Sequence, residues 1–491
     1  MKGHKKFPFL GKPFLSIMRT DTIAAVATAM TNSGIGIIRV SGKEAISIVH
    51  SIFINNKKEY CLNQYESHTI HYGFIIDKEN KILDEVMISV MKAPKSYTME
   101  DTVEINCHGG VFIMQKILEL VINSGARIAE PGEFTKRAFL NGRIDLSEAE
   151  AVMDLIESGN EFSMRSAVNQ LKGSVSDIIK KIREQILHEI AFIEAALDDP
   201  EHFDFEMEHY DKMLFKKIEK IEKRIQFLID SSDNGKILKE GIHTVIVGKP
   251  NVGKSSLLNI LMGEERAIVT DIAGTTRDIL EETISIDGII FRIIDTAGIH
   301  STDDKVEKIG VSRAKNAVME ADLVLYVIDS SIPLDENDME IFKIIKDKNT
   351  IVLLNKSDLV SVVTEEEINY VISQITKLEN INLCIENRII KTSMKDKIGM
   401  ELFLNTVKEM FFHGMIDYND EIYITNMRHK EALQNAYESI LYVRKSIEDH
   451  MPEDFYTIDL MNAYTYLGTI IGEEVGDDLV NKIFSKFCMG K

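Results

Sequence analysis

The stretch TVIVGKPNVGKSSLLNIL, residues 244–261, admits few folds. An apolar run passes through a loop holding two glycines and a proline into a segment of helical periodicity, which reads as strand, loop and helix. A strand feeding a helix in this way is the unit of a parallel α/β sheet. The loop residues Gly248, Asn251, Val252, Gly253, Lys254, Ser255 and Ser256 follow the spacing G-x-x-x-x-G-K-S. Such a loop turns backbone N–H groups onto phosphate oxygens at a helix N-terminus. Lys254 adds charge and Ser255 offers a hydroxyl to Mg²⁺.

Companion motifs follow in order. Asp295, Thr296, Ala297 and Gly298 in IIDTAG end an apolar strand, where a carboxylate can hold Mg²⁺ through water and a glycine can face the terminal phosphate. Asn355, Lys356 and Asp358 in LLNKSD end another, and Asp358 can accept two hydrogen bonds that guanine offers and adenine does not. Ser393 in KTSMK buttresses the base. Together these predict GTP as the substrate. Ile299 stands where a water-orienting glutamine often follows, so another group must hold the attacking water. Asn251 and the loop VTDIAGTTRD offer oxygen ligands for a monovalent cation beside the phosphates, a charge able to act where an arginine finger would.

The chain of 491 residues is too long for one core. Before the nucleotide loop, GIGIIRVSG and DTVEINCHGG alternate as half-buried strands do, with Val103, Ile105 and Cys107 on one face and Glu104 and Asn106 on the other. At DLSEAEAVMDLI the period becomes helical, with Ser147 and Glu150 as a capping box. Leu214, Ile218, Ile221, Ile225 and Leu228 form a narrow stripe of the kind that packs helix on helix, and Leu433, Ala436, Ile440, Val443 and Ile447 form another. The expected architecture is multidomain, with an α+β N-terminal domain, an all-α helical domain and an α/β P-loop GTPase domain inserted into it. The boundaries fall at 1–20 for an extension, 21–138, 139–240 for the first helical part, 241–413 for the inserted domain and 414–491 for the second helical part.

The balance of 57 Lys+Arg against 78 Asp+Glu, −21, argues against a general nucleic-acid coat but leaves room for a local basic patch. No apolar run spans a membrane. The four cysteines Cys61, Cys107, Cys384 and Cys488 lack metal or disulfide-framework spacing, which fits a reducing, cytoplasmic setting. The basic first twenty residues leave two readings open: a disordered extension, or a transit peptide, which would place the protein in the mitochondrial matrix.

Beyond the nucleotide motifs, DIAGTTRD, EPGEFTKRAFLNGRIDLSEAEA, HGG and the C-terminal C-x-G-K closely resemble the tRNA-modification GTPase family called MnmE or TrmE, from about Asp21 to Lys491. The resemblance implies an N-terminal folate-binding domain, a homodimer formed by those domains, and a flavoprotein partner, MnmG (GidA), in a heterotetramer that acts on tRNA. The pair would install a (carboxymethyl)aminomethyl group at C5 of the wobble uridine, with 5-formyl- or methylene-tetrahydrofolate as one-carbon donor. It further implies that Asn251, Thr270, Ile272 and Thr275 bind K⁺ and that Ser255 and Thr276 bind Mg²⁺. Glu307 matches the acid that supports the hydrolytic water, and Arg39, Glu104, Arg143 and Lys491 match the folate site. Cys488 is either catalytic or a buried structural thiol. Arg143 stands where lysine is frequent, Met394 where alanine is usual and Met489 where a β-branched residue is usual. Because the GTPase motifs alone are shared with ribosome-assembly GTPases, a GTPase switch without modification chemistry is the alternative. The N-terminal domain and the C-x-G-K end argue against it.

Overall fold

The computed structural model describes residues 21–55, 61–198, 207–263, 268–269, 281–287, 289–294, 317–379, 388–412, 424–488 and 490. The extension 1–20 and the candidate residues Thr270, Ile272, Thr275, Thr276, Asp295, Thr296, Ala297, Gly298, Glu307 and Lys491 lie outside them. The chain divides into two compact units, one comprising residues up to Met153 together with Ile471–Lys491, the other Asp154–Ile470.

The first unit is built on a seven-stranded sheet of order β3-β4-β5-β6-β2-β1-β7. Its strands are β1 (Ile23–Val26), β2 (Ser33–Ser41), β3 (Phe53–Ile54), β4 (Thr69–Ile76), β5 (Ile82–Met91), β6 (Thr102–Gly109) and β7 (Arg127–Ile128). The expected alternation holds: Val103, Ile105 and Cys107 are buried, while Glu104 and Asn106 stay partly exposed on the opposite face. Helices α1 (Ala45–Ile52) and α2 (Val111–Asn123) cover the inner face and share one core with Ile38, Val40, Ile88 and Ile105. Burial raises the Cys107 thiol pKa to about 11, so that cysteine is an inert core residue.

Two further helices follow, α3 (Glu133–Leu140) and α4 (Leu146–Ile156). The cap of α4 sits two residues earlier than the sequence pattern suggested. Asp145 Oδ1 accepts from the Glu148 amide at 3.0 Å, and Glu148 Oε2 accepts from the Asp145 amide at 2.8 Å. Two overlapping pairs, Asp145 with Glu148 and Ser147 with Glu150, satisfy the same spacing. The earlier one prevails because Leu146 must already be helical to reach its apolar cluster with Ala149, Met153, Val480, Phe484 and Phe487. That cluster shows how the C-terminal helix, Asp477–Phe484, belongs to the first unit.

The motif EPGEF, singled out as sequence, is an electrostatic hub. Glu133 Oε1 receives Arg127 Nη2 at 2.7 Å and Arg137 Nη2 at 3.0 Å, while Oε2 receives the Glu130 amide at 2.8 Å. Asp21 completes it through Arg127 Nε at 2.6 Å.

In the second unit, α5 (Glu161–Leu171), α6 (Ser174–Asp198) and α7 (Met207–Glu240) lead into the nucleotide-type domain. The expected stripe of α7, Leu214 to Leu228, is fully buried. The second sheet has the order β14-β13-β12-β8-β11-β10-β9. Its strands are β8 (Ile242–Val247), β9 (Ile268–Val269), β10 (Glu281–Ile286), β11 (Ile289–Ile294), β12 (Leu323–Asp329), β13 (Thr350–Asn355) and β14 (Ile389–Lys391). Helices α8 (Lys254–Gly263), α9 (Glu336–Ile344), α10 (Glu365–Glu379) and α11 (Met400–Phe412) alternate with them. Five strands are parallel as expected, but β10 runs antiparallel to β11 and β9. The link Asp287-Gly288 is too short for a crossover. Asp287 takes φ 50, and Asp-Gly is a sequence signal for a hairpin that the alternating-element reading passed over.

The chain then returns through α12 (Met427–Glu448) and α13 (Glu453–Ile471). The second stripe, Leu433 to Ile447, is buried where α12 packs along α7. Entry and exit of the inserted domain are adjacent. A Cβ on Gly235 of α7 would lie 2.3 Å from the Ile424 carbonyl oxygen, so only glycine permits the approach. Among the described residues, no helix is long and apolar enough to cross a membrane.

Removing the hub carboxylate tests its structural weight. Glu133→Ala removes the carboxylate shared by Arg127 and the nine-tenths-buried Arg137, while Asp21 stays beside both guanidiniums and Glu100 beside Arg137, so the cost falls below the about 3–5 kcal/mol of a buried pair stripped of its one partner. Arg127 holds the Asp21 carboxyl below the usual range. Burial alone would raise that of Glu133, but Arg127, the Glu130 amide and Arg137 together lower it. Carboxyls lowered by folding stabilise above their unfolded pKa of about 4 and lose that contribution as pH falls through the folded value. Urea unfolding at a series of pH values is expected to show reduced stability and a shallower acid loss in the variant. A variant as stable as the parent at neutral pH contradicts the hub.

Candidate functional site

The nucleotide loop lies at the carboxyl end of β8, where an open α/β sheet places its ligands. Its backbone takes left-handed values at Asn251, φ 61, and at Gly253, φ 110. Lys254 Nζ donates to the carbonyls of Gly248 at 2.8 Å and Lys249 at 2.7 Å, which draws the lysine across the loop. Ser255 and Ser256 are exposed at the first turn of α8. Asn251, the one described member of the expected K⁺ ligand set, is exposed as well.

The base motif is joined directly to this loop. Buried Asn355, the last residue of β13, donates through Nδ2 to the Val252 carbonyl at 2.7 Å and accepts the Met394 amide on Oδ1 at 3.1 Å. One side chain therefore bridges phosphate loop, base motif and base support. The contact also explains Gly253, since a Cβ there would lie 2.2 Å from Asn355 Nδ2. Met394 supplies a backbone amide, so a methionine in place of alanine leaves the contact intact. Ser393 is fully buried, with its hydroxyl 3.1 Å from Asp358 Oδ1 and 3.0 Å from Asp396 Oδ2. It holds exposed Asp358 in place. Lys356 adopts φ 64 and reaches Asp329 Oδ2 at 2.5 Å. The sequence reading assigned no role to Asp329.

In the first unit, two of the expected folate residues, Arg39 and Glu104, pair beside Gly490. The register pairs Arg39 of β2 with Glu104 of β6, and Arg39 Nε and Nη2 both lie 2.8 Å from Glu104 Oε1. Arg39 Nη1 also donates to the Gly490 carbonyl at 3.0 Å. Gly490 is buried with φ 86, and a Cβ there would lie 2.4 Å from the Val26 carbonyl oxygen. Gly490 is thus seated against β1 and β2. Cys488 is exposed, which sets aside the reading as a buried structural thiol.

Arg143 stands apart from that pair, linked to it by an aromatic ring. Its guanidinium lies 4.8 Å from the Tyr97 ring centroid, that of Arg39 lies 5.6 Å from it, and Arg143 Nη1 donates to the Tyr97 carbonyl at 3.1 Å. Tyr97, Arg143, Lys95, His68 and Met91 help line a cavity of about 680 Å³, within the range of small-molecule sites. Sequence reasoning missed Tyr97; an aromatic among the polar residues of APKSYTMED was the available signal. Among the described residues no group of three or more His, Cys, Asp or Glu could hold a metal ion.

Residues 22–143 match the family model of the GTP-binding protein TrmE N-terminus, and residues 146–488 match that of the MnmE helical domain. The tRNA modification GTPase MnmE of Lachnoclostridium phytofermentans is 55% identical over 96% of this chain and 100% of its own length. That of Clostridioides difficile is 48% identical over 96% of this chain and 99% of its own. That of Bacillus cytotoxicus is 45% identical over 96% and 100%.

The bridging asparagine makes Gly253→Ala informative. The new Cβ displaces Asn355 and strains a backbone at φ 110. Two lost hydrogen bonds at about 1 kcal/mol each and strain of about 1–3 kcal/mol imply at least a hundredfold weaker GTP binding. Calorimetric titration on folded protein checks this, and unchanged affinity would contradict the bridge.

Proposed function

As a member of the MnmE family of tRNA modification GTPases, this chain hydrolyses GTP in tRNA modification, and we propose that it works with a flavoprotein partner of the MnmG (GidA) type. The pair adds a (carboxymethyl)aminomethyl group at C5 of the wobble uridine of certain tRNAs. The observation that carries this reading is the seating of Gly490 on Arg39, because a GTPase switch without modification chemistry has no use for a second site that joins segments so far apart in sequence.

For hydrolysis, Lys254 neutralises phosphate charge, Asn355, Lys356 and Asp358 hold the guanine, and Ser393 keeps Asp358 in position. Gly248, Asn251, Val252, Gly253, Ser256, Asp295, Thr296, Ala297 and Gly298 complete the nucleotide cradle, with Thr270, Thr275 and Thr276 in the loop that closes on it. Ser255 and Thr276 are assigned to Mg²⁺. Asn251, Thr270, Ile272 and Thr275 are assigned to K⁺, which supplies positive charge where the transferred phosphoryl group develops negative charge. Glu307 orients the attacking water in place of the residue missing at Ile299. Presentation of Ser255 and Asn251 at the mouth of the loop supports both cation assignments.

Arg39, Glu104, Arg143 and Lys491 are assigned to tetrahydrofolate, the source of the one-carbon unit. The cavity beside Tyr97 suits a flat ring system, and the cationic Arg143 and Lys95 on its wall suit the carboxylates of a glutamyl tail. Cys488, exposed beside this end, is the available thiol. A homodimer through the first unit is supported by Ile70, Tyr72 and Met87, large apolar side chains exposed on the outer sheet face at 67%, 53% and 50%.

Two measurements test the reading. GTP hydrolysis at matched ionic strength is expected to be much faster in K⁺ than in Na⁺, and equal rates contradict the cation site. Deleting residues 488–491 removes the Arg39 acceptor and Lys491 while leaving the nucleotide domain intact. Hydrolysis should largely survive, and folate affinity should fall about ten- to a hundredfold for a charge-assisted contact of about 1.5–3 kcal/mol. Modification of tRNA should fail even with the partner present. Untouched folate affinity and modification in the same preparation would remove the chain end from the site.

A further inference from the structure

The nucleotide loop is tethered from outside at two points. One is Asn355 on the Val252 carbonyl, inside the motifs already read. The other lies at the opposite end of the loop, on a residue with no assigned role. Lys249 binds through its ammonium to Asp338 Oδ2 at 2.7 Å and Asp335 Oδ2 at 3.0 Å.

Asp338 is only 1% exposed and is held from three sides. Its Oδ1 accepts from the Tyr326 hydroxyl at 2.7 Å, and its Oδ2 also accepts the Asp335 amide at 2.9 Å. It is the third residue of a reciprocal capping box at the start of α9, where the helix dipole favours a carboxylate. Tyr326 sits fully buried in β12, its ring edge-on to Phe342. The carboxylate is therefore a fixed point of the sheet, and Lys249 is fastened to it. Burial alone would lower the Lys249 pKa, but Asp338 and Asp335 outweigh it and keep the ammonium charged.

What the tether holds is the residue whose carbonyl receives Lys254. Lys249 contributes its side chain to Asp338 and its carbonyl to Lys254 Nζ at 2.7 Å. A line of charge-assisted bonds thus runs from α9, outside every nucleotide motif, to the lysine that meets the phosphates. The loop gains from such support because Asn251, unlike the glycines beside it, holds a left-handed backbone that a residue with a Cβ adopts uncommonly.

We propose that Asp338 is a positioning residue for GTP. Acting through Lys249, it fixes the phosphate end of the loop and so sets how tightly the β- and γ-phosphates are held. This rests on the reading of residues 248–256 as the GTP phosphate loop. A loop that grips phosphates alike in ground and transition states affects KM more than kcat.

The test uses the full chain with Lys249→Met, Lys249→Arg and Asp338→Asn, followed by steady-state hydrolysis, GDP titration and thermal unfolding without nucleotide. Lys249→Met leaves the buried carboxylate its Tyr326 and Asp335 partners, so it serves if Asp338→Asn fails to fold. Lys249→Met is expected to raise KM for GTP and weaken GDP by about tenfold, with a smaller change in kcat. The preference for GTP over ITP, which reports Asp358, should stay at its parental value. Lys249→Arg should recover most of the loss, since a guanidinium can still reach Asp338. Variants that melt earlier but keep parental KM and GDP affinity would show a merely structural pair and overturn the proposal. A shifted GTP-to-ITP ratio would also overturn it, by showing general damage to the site. A parent protein that fails to bind GTP overturns the underlying reading as well; normal parental binding with unaffected variants overturns this proposal alone.

Discussion

The hydrogen bond from Arg39 to the Gly490 carbonyl joins residues 451 apart in sequence. It requires the chain to come back to its beginning before it ends. The first unit is accordingly discontinuous, its sheet formed early and its last cluster closed by Val475, Val480, Phe484 and Phe487 against Leu146 and Ala149. Gly132 enforces the same closure from the other side, because a Cβ there would lie 2.5 Å from the Phe484 carbonyl oxygen. The second unit repeats the logic on a smaller scale. Ser231 Oγ accepts the Ile424 amide at 3.4 Å, and Gly235 admits the same segment, so the nucleotide domain leaves and rejoins the helices at one place. Each unit is thus built from segments distant in sequence whose ends pack side by side.

Within the nucleotide domain, the same economy governs the site. Asn355 terminates β13 yet bonds the phosphate loop, and Gly253 is small because Asn355 lies against it. Lys356 carries a left-handed backbone, an arrangement secured by Asp329 at the end of β12. The strand β12 and the helix α9 after it therefore brace both loops, the base loop through Asp329 and the phosphate loop through Asp338. Neither carboxylate belongs to a nucleotide motif.

What was legible in the sequence was what local chemistry dictates. Phosphate binding needs consecutive amides at a helix start, so Gly248 to Ser256 are contiguous and readable. Helix-on-helix packing needs a periodic stripe, and both the Leu214 and the Leu433 stripes are buried as their spacing indicated. The unread features depend on distance or on competition. Lys249 and Asp338 are 89 residues apart, and no spacing announces them. Arg39 and Glu104 meet through strand register, so sequence could nominate both side chains but not their pairing. The α4 cap was misplaced because two pairs fit one pattern and the burial of Leu146 decided between them. The antiparallel edge was legible in Asp287-Gly288, but a whole-domain expectation of parallel strands outweighed a two-residue signal.

The chain end also explains which of its residues can vary. The acceptor for Arg39 is the main-chain carbonyl of Gly490, and every residue has such a carbonyl. The glycine is nevertheless required, because its φ of 86 is left-handed and the Val26 carbonyl occupies the place of a Cβ. The Arg39–Glu104 pair is likewise only partly exposed, at 16% and 22%, so water competes weakly for either charge. A carboxylate fixed by a guanidinium, itself fixed by the Gly490 carbonyl, is already oriented, and in the folate site proposed above such pre-orientation would lower the entropy lost on binding.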